Sequence, residues 1–226
     1  MHAQERDEET TALIRKAINQ HYFKTGVWQN IYYKGMHCFK YPTDLWTYAE
    51  ILYEVRPTVI VETGTSHGGS AQFFRDMSGA KVITIDAVDE VINKDPNIVY
   101  LHGHSGEQEM LERVQAHIAP LDIVMVSLDS DHTLEHVRKE LRLYADLVTP
   151  GSYLVTEDTF ISIFDCKEER FEAGSTWEAV QEWLPTCNDF YIDARRDKHL
   201  ITMNPNGWLR RKFVFESPSL FANEVS

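Results

Sequence analysis

The sequence lacks several features that would place the protein in a specialised class. No apolar run approaches the roughly 18 residues that a membrane-spanning helix needs, and the acidic stretch Met1–Glu9 does not resemble a secretory signal. Cysteine is scarce, since Cys38, Cys166 and Cys187 are far apart and form no CxxC pair. We therefore expect no membrane partner, no disulfide framework, no zinc site and a reducing compartment, the cytoplasm.

Positive charge is also in short supply. The chain has 22 Lys and Arg residues against 35 Asp and Glu residues, which gives a formal net charge of −13. The basic residues cluster only weakly, at residues 195–198 and 210–212. A polyanion would be repelled by this balance, so nucleic acid is not expected as a partner.

What remains is the composition of an ordinary globular protein. The 226 residues are 43% hydrophobic and 25% charged, and they contain no internal repeat or low-complexity tract. The length fits one α/β domain with an amino-terminal extension. We expect residues 1–56 to form a helical and aromatic lid segment and residues 57–226 to form the core.

Hydrophobic patterning predicts strands that alternate with helices. Apolar positions with the helical period occupy residues 7–23, and Pro42 opens a second helix that Thr43 or Asp44 could cap. Buried strands are predicted at 58–62, 81–86, 98–101, 121–128 and 152–156, with helices at 71–77, 110–117, 134–147 and 176–184. Residues 190–193 and 199–203 are expected to form a closing antiparallel pair, followed by a short strand near 211–215. Such alternation is typical of a parallel sheet covered by helices on both faces.

Ligands of such sheets bind beyond the carboxyl ends of the strands. After the first strand the chain reads TGTSHGGS over residues 63–70, which is neither a GxGxxG fingerprint nor a P-loop. Together with Asp86 at the end of the next strand, this turn suits a nucleoside, because Asp86 could accept hydrogen bonds from both ribose hydroxyls. Ser105, just beyond the third strand, could contact the adenine. The alternative is a tight connection with incidental glycines.

Carboxylates gather at the next two strand ends. Asp129 and Asp131 follow one strand, and Glu157 and Asp158 follow the other. Crowded carboxylates repel one another, and hard oxygen ligands suit Mg²⁺, Ca²⁺ or Mn²⁺. The alternative is that Asp129 or Asp131 caps the helix that starts near residue 133. His132 could be a base, a substrate contact or a structural histidine.

Several segments resemble one known family. They are residues 40–46 (KYPTDLW), 61–70 (VETGTSHGGS), 128–132 (LDSDH), 135–137 (EHV), 147–155 (LVTPGSYLV), 157–159 (EDT), 177–180 (WEAV) and 204–207 (NPNG). In this order they resemble the cephalosporin hydroxylase family of class I S-adenosylmethionine (SAM)-dependent methyltransferases, related to rhamnosyl and macrolide-sugar O-methyltransferases. The resemblance spans residues 28–212.

The resemblance implies a Rossmann-like, mainly parallel seven-stranded sheet with helices on both faces. It also implies SAM and Mg²⁺ or another divalent cation as cofactors, and methyl transfer to a hydroxyl of a sugar or natural-product small molecule. Matching positions give the cofactor-binding residues Glu62, Gly64, Gly68, Gly69, Ser70 and Asp86. We also expect Ser66, Ser105 and Asp129 to contact the cofactor. The implied metal ligands are Asp129, Glu157 and Asp158, and the implied general base is Asp131, with His132 as second choice.

Residues 160–175 depart from the family pattern in a loop that should border the acceptor. The aromatic stretch between Trp28 and Tyr41 could be a lid, part of the core or a subunit interface, and we expect a homodimer or higher homo-oligomer. Two functional alternatives stay open: a cofactor-binding relative without methyl transfer, and a hydroxylase or cyclase that uses the same pocket. An iron oxygenase would want two histidines and a carboxylate, whereas this cluster has one adjacent histidine.

Overall fold

A computed structural model describes residues 7–164 and 168–213. The strands are β1 (Tyr32–Tyr33), β2 (Met36–His37), β3 (Val59–Thr63), β4 (Lys81–Asp86), β5 (Ile98–His102), β6 (Val124–Leu128), β7 (Tyr153–Thr156), β8 (Phe190–Ile192) and β9 (Trp208–Arg211). The α-helices are α1 (Glu8–Ala17), α2 (Pro42–Val55), α3 (Gly69–Ser78), α4 (Gln108–Gln115), α5 (Leu134–Tyr144), α6 (Phe160–Ile163) and α7 (Thr176–Trp183). A π-helical turn over Ile18–Phe23 extends α1, and short 3₁₀ segments join other elements.

The main sheet has seven strands in the order β5-β4-β3-β6-β7-β9-β8. Strands β3 to β7 run parallel, while β9 is antiparallel to both β7 and β8. The predicted mainly parallel seven-stranded sheet is therefore confirmed. Because β3 leads to β4 on one side and β6 lies on the other, the loops after β3 and β6 face each other at the point where strand order reverses, the usual ligand position of such sheets.

Side chains alternate between the two faces of the sheet, and helices cover both. Val59 and Val61 of β3 belong to a cluster with residues of α4, α5 and α7, whereas Ile60 belongs to a cluster with residues of α2 and α3. This alternation follows from the two-residue period of a strand. A third cluster joins α1 and its π-helical turn to the segment after β7, through Ile14, Ile18, Tyr22, Phe160, Phe164, Phe171 and Met203 among others.

The closing strands differ from the prediction. Strand β8 pairs with β9, and residues 199–203 do not form a strand. The reason is that these residues are attached to α2: the Met203 amide donates to Asp44 Oδ2 at 2.8 Å, and Thr202 Oγ1 donates to Asp44 Oδ1. The last strand starts three residues earlier than predicted, and residues 214–215 of that prediction lie outside the described residues.

Asp44 is also not a helix cap. Tyr41 occupies the N-cap position of α2 without a capping side-chain bond, and neither Thr43 nor Asp44 caps the helix. Asp44 is 1% exposed, and burial raises its pKa to about 7. It therefore joins two distant segments of the chain instead of closing a helix end.

The aromatic segment before α2 forms a hairpin that the sequence did not reveal. Strands β1 and β2 pair through a turn in which Lys34 and Gly35 both have positive φ angles, +49° and +81°. This combination is the type I′ turn that suits two-residue hairpins. The ring of Tyr33 contacts Phe73 of α3 edge-on, so the hairpin lies against that helix. Within the described residues, no helix is both long and apolar enough to cross a bilayer.

Candidate active site

A cavity of about 540 Å³ lies at the carboxyl ends of β3, β4, β6 and β7. Its floor comes from the loops that follow these strands, and its other walls come from residues 22–44, 160–161 and 168–171. Several residues with predicted roles line it: Gly64, Ser66, Ser70, Asp86, Ser105, Asp129, Asp131, His132, Glu157 and Asp158. Glu62, Gly68 and Gly69, to which the resemblance gave cofactor roles, are not among the lining residues.

The loop after β3 passes very close to the loop after β6. Gly64 has a φ of +90°, and its amide donates to the Ile85 carbonyl at 2.8 Å. A Cβ atom at this position would lie 1.8 Å from the carbonyl oxygen of Asp129, so no side chain fits. Gly69 is restricted in the same way by the carbonyl oxygen of His37, at 2.2 Å. The glycines therefore serve close backbone packing, and Gly64 leaves bare backbone at the cavity surface.

Asp86 closes the loop and presents its carboxylate to the cavity. Its Oδ2 accepts the Ser66 amide at 2.8 Å, and its Oδ1 accepts the Val88 amide at 2.9 Å. Each carboxylate oxygen has two acceptor positions, so both oxygens can accept a further hydrogen bond. This donor-poor, acceptor-rich edge suits a diol such as a ribose.

Ser105 belongs to a polar network that reaches α5. Its hydroxyl donates to Glu140 Oε1 at 2.6 Å and lies 2.9 Å from His136 Nε2. Ser130 donates to the same Glu140 oxygen at 2.8 Å. The hydrogen bond and charge of Glu140 raise the pKa of His136. His136 and Glu140 were given no role from the sequence, although their i, i+4 spacing on a helix was a signal that they lie side by side.

Two carboxylates and an imidazole meet on the cavity floor. His132 Nε2 lies 3.6 Å from Asp129 Oδ1 and 3.4 Å from Asp158 Oδ2. Ligand atoms of these three residues all lie within 4.8 Å of one another, a spacing that can hold a metal ion. Burial raises the pKa of Asp129 and of Asp158, and the charge of Glu157 adds to both effects. The donor set fits a divalent cation, which would relieve this repulsion.

Glu157, the third predicted ligand, is held from behind by other side chains. Its Oε1 accepts from Lys40 at 2.6 Å, from Tyr48 at 2.6 Å and from Ser127 at 2.7 Å. The Lys40 ammonium also donates to Asp129 Oδ2 at 2.6 Å. Burial would lower the pKa of Lys40, but the charges of Asp129 and Glu157 raise it well above its usual value. Lys40 is thus a charged group inside the site, and sequence reasoning gave it no role.

The Asp131 carboxylate is hydrogen-bonded within its own turn, to Thr133. Its Oδ1 accepts both the amide, at 3.1 Å, and the hydroxyl of Thr133. Burial raises the pKa of Asp131, but these hydrogen bonds outweigh burial and the net pKa lies below its usual value. Thr133 itself occupies the N-cap position of α5, so Asp131 supports the turn before the helix.

Strained backbone concentrates around the cavity. Non-glycine residues with positive φ line it at Phe39, Ser66, His132 and Asp158. Each such residue costs of order 1–3 kcal/mol, and such strain clusters at functional sites. The φ of His132 is +62° and that of Asp158 is +59°. These angles aim both side chains at the same point on the floor.

Aromatic side chains line another part of the cavity. They are Tyr22, Phe23, Trp28, Phe39, Tyr41, Phe160 and Phe171. Phe23 stacks on Phe160 with ring centroids 5.7 Å apart, which connects the amino-terminal segment to the segment after β7. Arg170, whose guanidinium lies 4.4 Å from the ring centre of Phe171, also lines this side. We call this surface the aromatic wall.

Comparison with known proteins gives one consistent result. A family model described as rhamnosyl O-methyltransferase/CmcI matches residues 25–212. The rhamnosyl O-methyltransferase of Mycobacterium bovis is 32% identical over 212 residues, which cover 88% of this chain and 85% of that protein. The protein of the same name from Mycobacterium leprae is 31% identical over 215 residues, covering 89% and 92% respectively.

Solved structures agree on the fold. A CmcI structure described with Mg and SAM has a TM-score of 0.63 and 22% identity, covering 81% of this chain and 77% of that chain. The cavity thus lies in a methyltransferase fold, and the family match extends over most of the sequence. The chain belongs to the rhamnosyl O-methyltransferase/CmcI family and is a SAM-dependent O-methyltransferase.

Proposed function

We propose that the protein transfers a methyl group from SAM to a hydroxyl of a sugar-bearing small molecule, with the help of a divalent cation. The observation that carries this proposal is the close pair of carboxylates, Asp129 and Asp158, with His132 beside them in the same cavity as the Gly64 loop. The names of the mycobacterial relatives support a sugar hydroxyl as the acceptor, and the CmcI structure with Mg and SAM supports both cofactors.

On the cofactor side, Asp86 would accept the ribose hydroxyls and Ser105 would contact the adenine. Gly64 and Ser66 would place backbone against the methionine part, with Ser70 nearby on the same wall. When bound, SAM supplies an electrophilic methyl group. Gly68 and Gly69, together with the fully buried Glu62, would act from behind the cavity surface by fixing the shape of the loop.

On the metal side, Asp129 and Asp158 would hold the cation, with Glu157 as the further carboxylate ligand expected from the family. When bound, a divalent cation supplies a Lewis acid that makes an acceptor hydroxyl more acidic. The chain's part is to fix the orientation of its carboxylates. Tyr48, Ser127 and Lys40 do this for Glu157 through three hydrogen bonds to one oxygen.

For proton removal, the geometry favours His132 over Asp131. Asp131 is engaged by Thr133, and its lowered pKa makes it a weaker base. His132 Nε2 lies on the floor beside Asp129 and Asp158, where an acceptor hydroxyl would be activated. We therefore propose that His132 accepts the hydroxyl proton.

The acceptor itself would lie between the acidic floor and the aromatic wall. Sugars and apolar aglycones both pack well against aromatic rings. Phe160 and Phe171 contribute to this wall, and both lie in the segment where the chain departs from the family pattern. We also propose a homo-oligomer, because Trp46 and Tyr53 of α2 are 63% and 77% exposed; light scattering would test this.

The decisive experiment measures methyl transfer from labelled SAM to vicinal-diol acceptors such as 4-nitrophenyl rhamnoside, with and without EDTA. We expect activity to vanish with the chelator and to return with excess Mg²⁺ or Mn²⁺. Asp129→Asn should lose metal-dependent turnover with SAM affinity largely intact, whereas Asp122→Asn, at the opposite end of β6, should behave as wild type. Full activity in EDTA would remove the metal step, and SAM binding without turnover on any acceptor would favour a non-catalytic relative.

A further inference from the structure

The proposed function uses Lys40 only as a hydrogen-bond donor that orients Glu157, and it leaves the positive charge of Lys40 without a role. Its side chain is 1% exposed, and its ammonium lies 2.6 Å from Asp129 Oδ2 and 2.6 Å from Glu157 Oε1. The ammonium also lies 5.8 Å from the ring centre of Phe74 and 5.9 Å from that of Tyr48. A cation buried this deeply persists only where carboxylates compensate it.

The two carboxylate oxygens of Asp129 have different neighbours, Lys40 and His132. Oδ2 is bound by the ammonium, while Oδ1 lies on the side of His132. Glu157 is fixed by the same ammonium, so one positive charge is shared by two of the carboxylates expected to bind a metal ion. The negative charges of Asp129 and Glu157 repel each other, and the Lys40 ammonium already neutralises part of this charge. A divalent ion would therefore have less negative charge left to neutralise.

We propose that Lys40 is a built-in counter-charge that limits the affinity of the site for divalent cations and reserves Asp129 Oδ1 and Asp158 for the ion. The inference rests on the proposed function, since it concerns the same carboxylates. A cation next to the site repels an incoming dication, and the hydrogen bonds from Lys40 leave Asp129 Oδ2 and Glu157 Oε1 with less negative charge to offer a metal ion. The consequence is a metal that binds weakly enough to exchange, in a site that stays folded without it.

The test is direct binding of Mn²⁺ to the purified protein, measured as free Mn²⁺ by electron paramagnetic resonance. Lys40→Gln removes the charge and keeps a hydrogen-bond donor of similar reach. We expect the Kd for Mn²⁺ to fall about tenfold or more in Lys40→Gln, since a unit charge so close to a dication outweighs the loss of one hydrogen bond. Lys34→Gln is the matched control, because Lys34 pairs with Asp76 at 2.6 Å outside the cavity and should leave the Kd unchanged.

Each other outcome also decides the matter. An unchanged or weaker Kd in Lys40→Gln overturns the inference. If Lys40→Gln is unfolded in the absence of metal, recovery of a cooperative thermal transition on addition of Mn²⁺ supports it, and failure to recover at saturating Mn²⁺ overturns it. If the wild type binds no Mn²⁺ while Lys40→Gln does, the inference stands and the metal step of the proposed function falls. If neither protein binds Mn²⁺, both fall.

Discussion

Gly64 and Asp129 meet where the loops after β3 and β6 cross, with room for an α-hydrogen and nothing larger. A methyl group at Gly64 would lie 1.8 Å from the Asp129 carbonyl oxygen, and the φ of +90° would be strained for any other residue. This close approach and the hydrogen bond from the Asp129 amide to the Thr63 carbonyl, at 3.0 Å, fix the two loops relative to each other.

Gly64→Ala should destabilise the protein and impair SAM binding. Strain of the positive φ contributes about 1–3 kcal/mol, and the overlap with Asp129 adds to it by displacing the loop. Gly35→Ala is the control, because Gly35 has a similar φ of +81° but nothing within 4 Å of the added methyl group. Chemical denaturation and calorimetry with SAM would measure both effects. Equal losses in the two variants would show that the contact is unimportant.

Asp86→Asn should weaken SAM binding without unfolding the protein. Loss of hydrogen bonds to a charged acceptor costs about 1.5–3 kcal/mol, which corresponds to roughly a 10- to 100-fold rise in Kd. Asp89→Asn, three residues away in an exposed ion pair with Lys94, should keep wild-type affinity. Isothermal titration calorimetry with SAM would compare them, and a Kd for Asp86→Asn within twofold of wild type would rule out the ribose contact.

His132→Gln should lower kcat by about 100-fold or more, the usual cost of losing a general base, while Asp131→Asn should lower it far less. Binding of SAM should persist in both variants. The same variants separate a base from a ligand: a base leaves the Kd for Mn²⁺ unchanged in His132→Gln, whereas a ligand does not. A larger kcat loss in Asp131→Asn would restore Asp131 as the base.

Trp28→Ala should raise the KM for the acceptor and leave the Kd for SAM unchanged. The ring of Trp28 contacts Phe23 and Phe39 on the aromatic wall, and an aromatic contact of this kind is worth about 1 kcal/mol, or roughly fivefold in KM. Trp46→Ala, at an exposed position on α2, is the control. Steady-state kinetics would measure the KM. An unchanged acceptor KM in Trp28→Ala would show that Trp28 does not bind the acceptor.

The free energy of unfolding should depend on pH through the raised pKa of Asp44. Burial raises its pKa from the ordinary 3.8 to about 7 in the folded protein, so the folded state binds the proton more tightly. Its contribution to the free energy of unfolding is therefore complete below about pH 4 and is lost as the pH rises through 7. Asp44→Asn should remove this slope, at most about 1.4 kcal/mol per pH unit, from urea unfolding between pH 4 and 7. The control Asp89→Asn should keep the wild-type slope. A wild-type slope in Asp44→Asn would show that burial does not raise the pKa of Asp44.

The sheet could be predicted from the sequence because its strands are short, largely β-branched runs that alternate with segments of helical period. Strand ends then brought Asp86, Asp129 and Asp158 to one edge, which requires only that the strands be parallel. Lys40 could not be found in this way: it is 89 residues from Asp129 and 117 from Glu157, and an isolated lysine before Pro42 gives no sign of burial. The irregular path of residues 199–203 also depends on a tertiary contact, the one with Asp44.

The roles of the individual site residues remain predictions, and so does the division of the chain into residues 1–56 and 57–226. Tyr48, Ile51 and Leu52 of α2 share a cluster with Ile60 and with other residues of the sheet. Helix α2 thus contacts the strands directly, whereas α1 and its π-helical turn reach the site through the cluster that contains Phe160 and Phe171. Removal of the residues before α2 would measure how much the core needs them.

The floor and the aromatic wall have different origins in the chain. The floor consists of side chains fixed at the ends of central strands, and the wall consists of segments before α2 and after β7 that touch one another through Phe23 and Phe160. If the aromatic wall binds the acceptor as proposed, substitutions in those two segments would change the shape of the accepted molecule while the side chains of the floor keep their positions. Because the two segments touch through Phe23 and Phe160, an engineering experiment that aims at other acceptors should exchange both segments together.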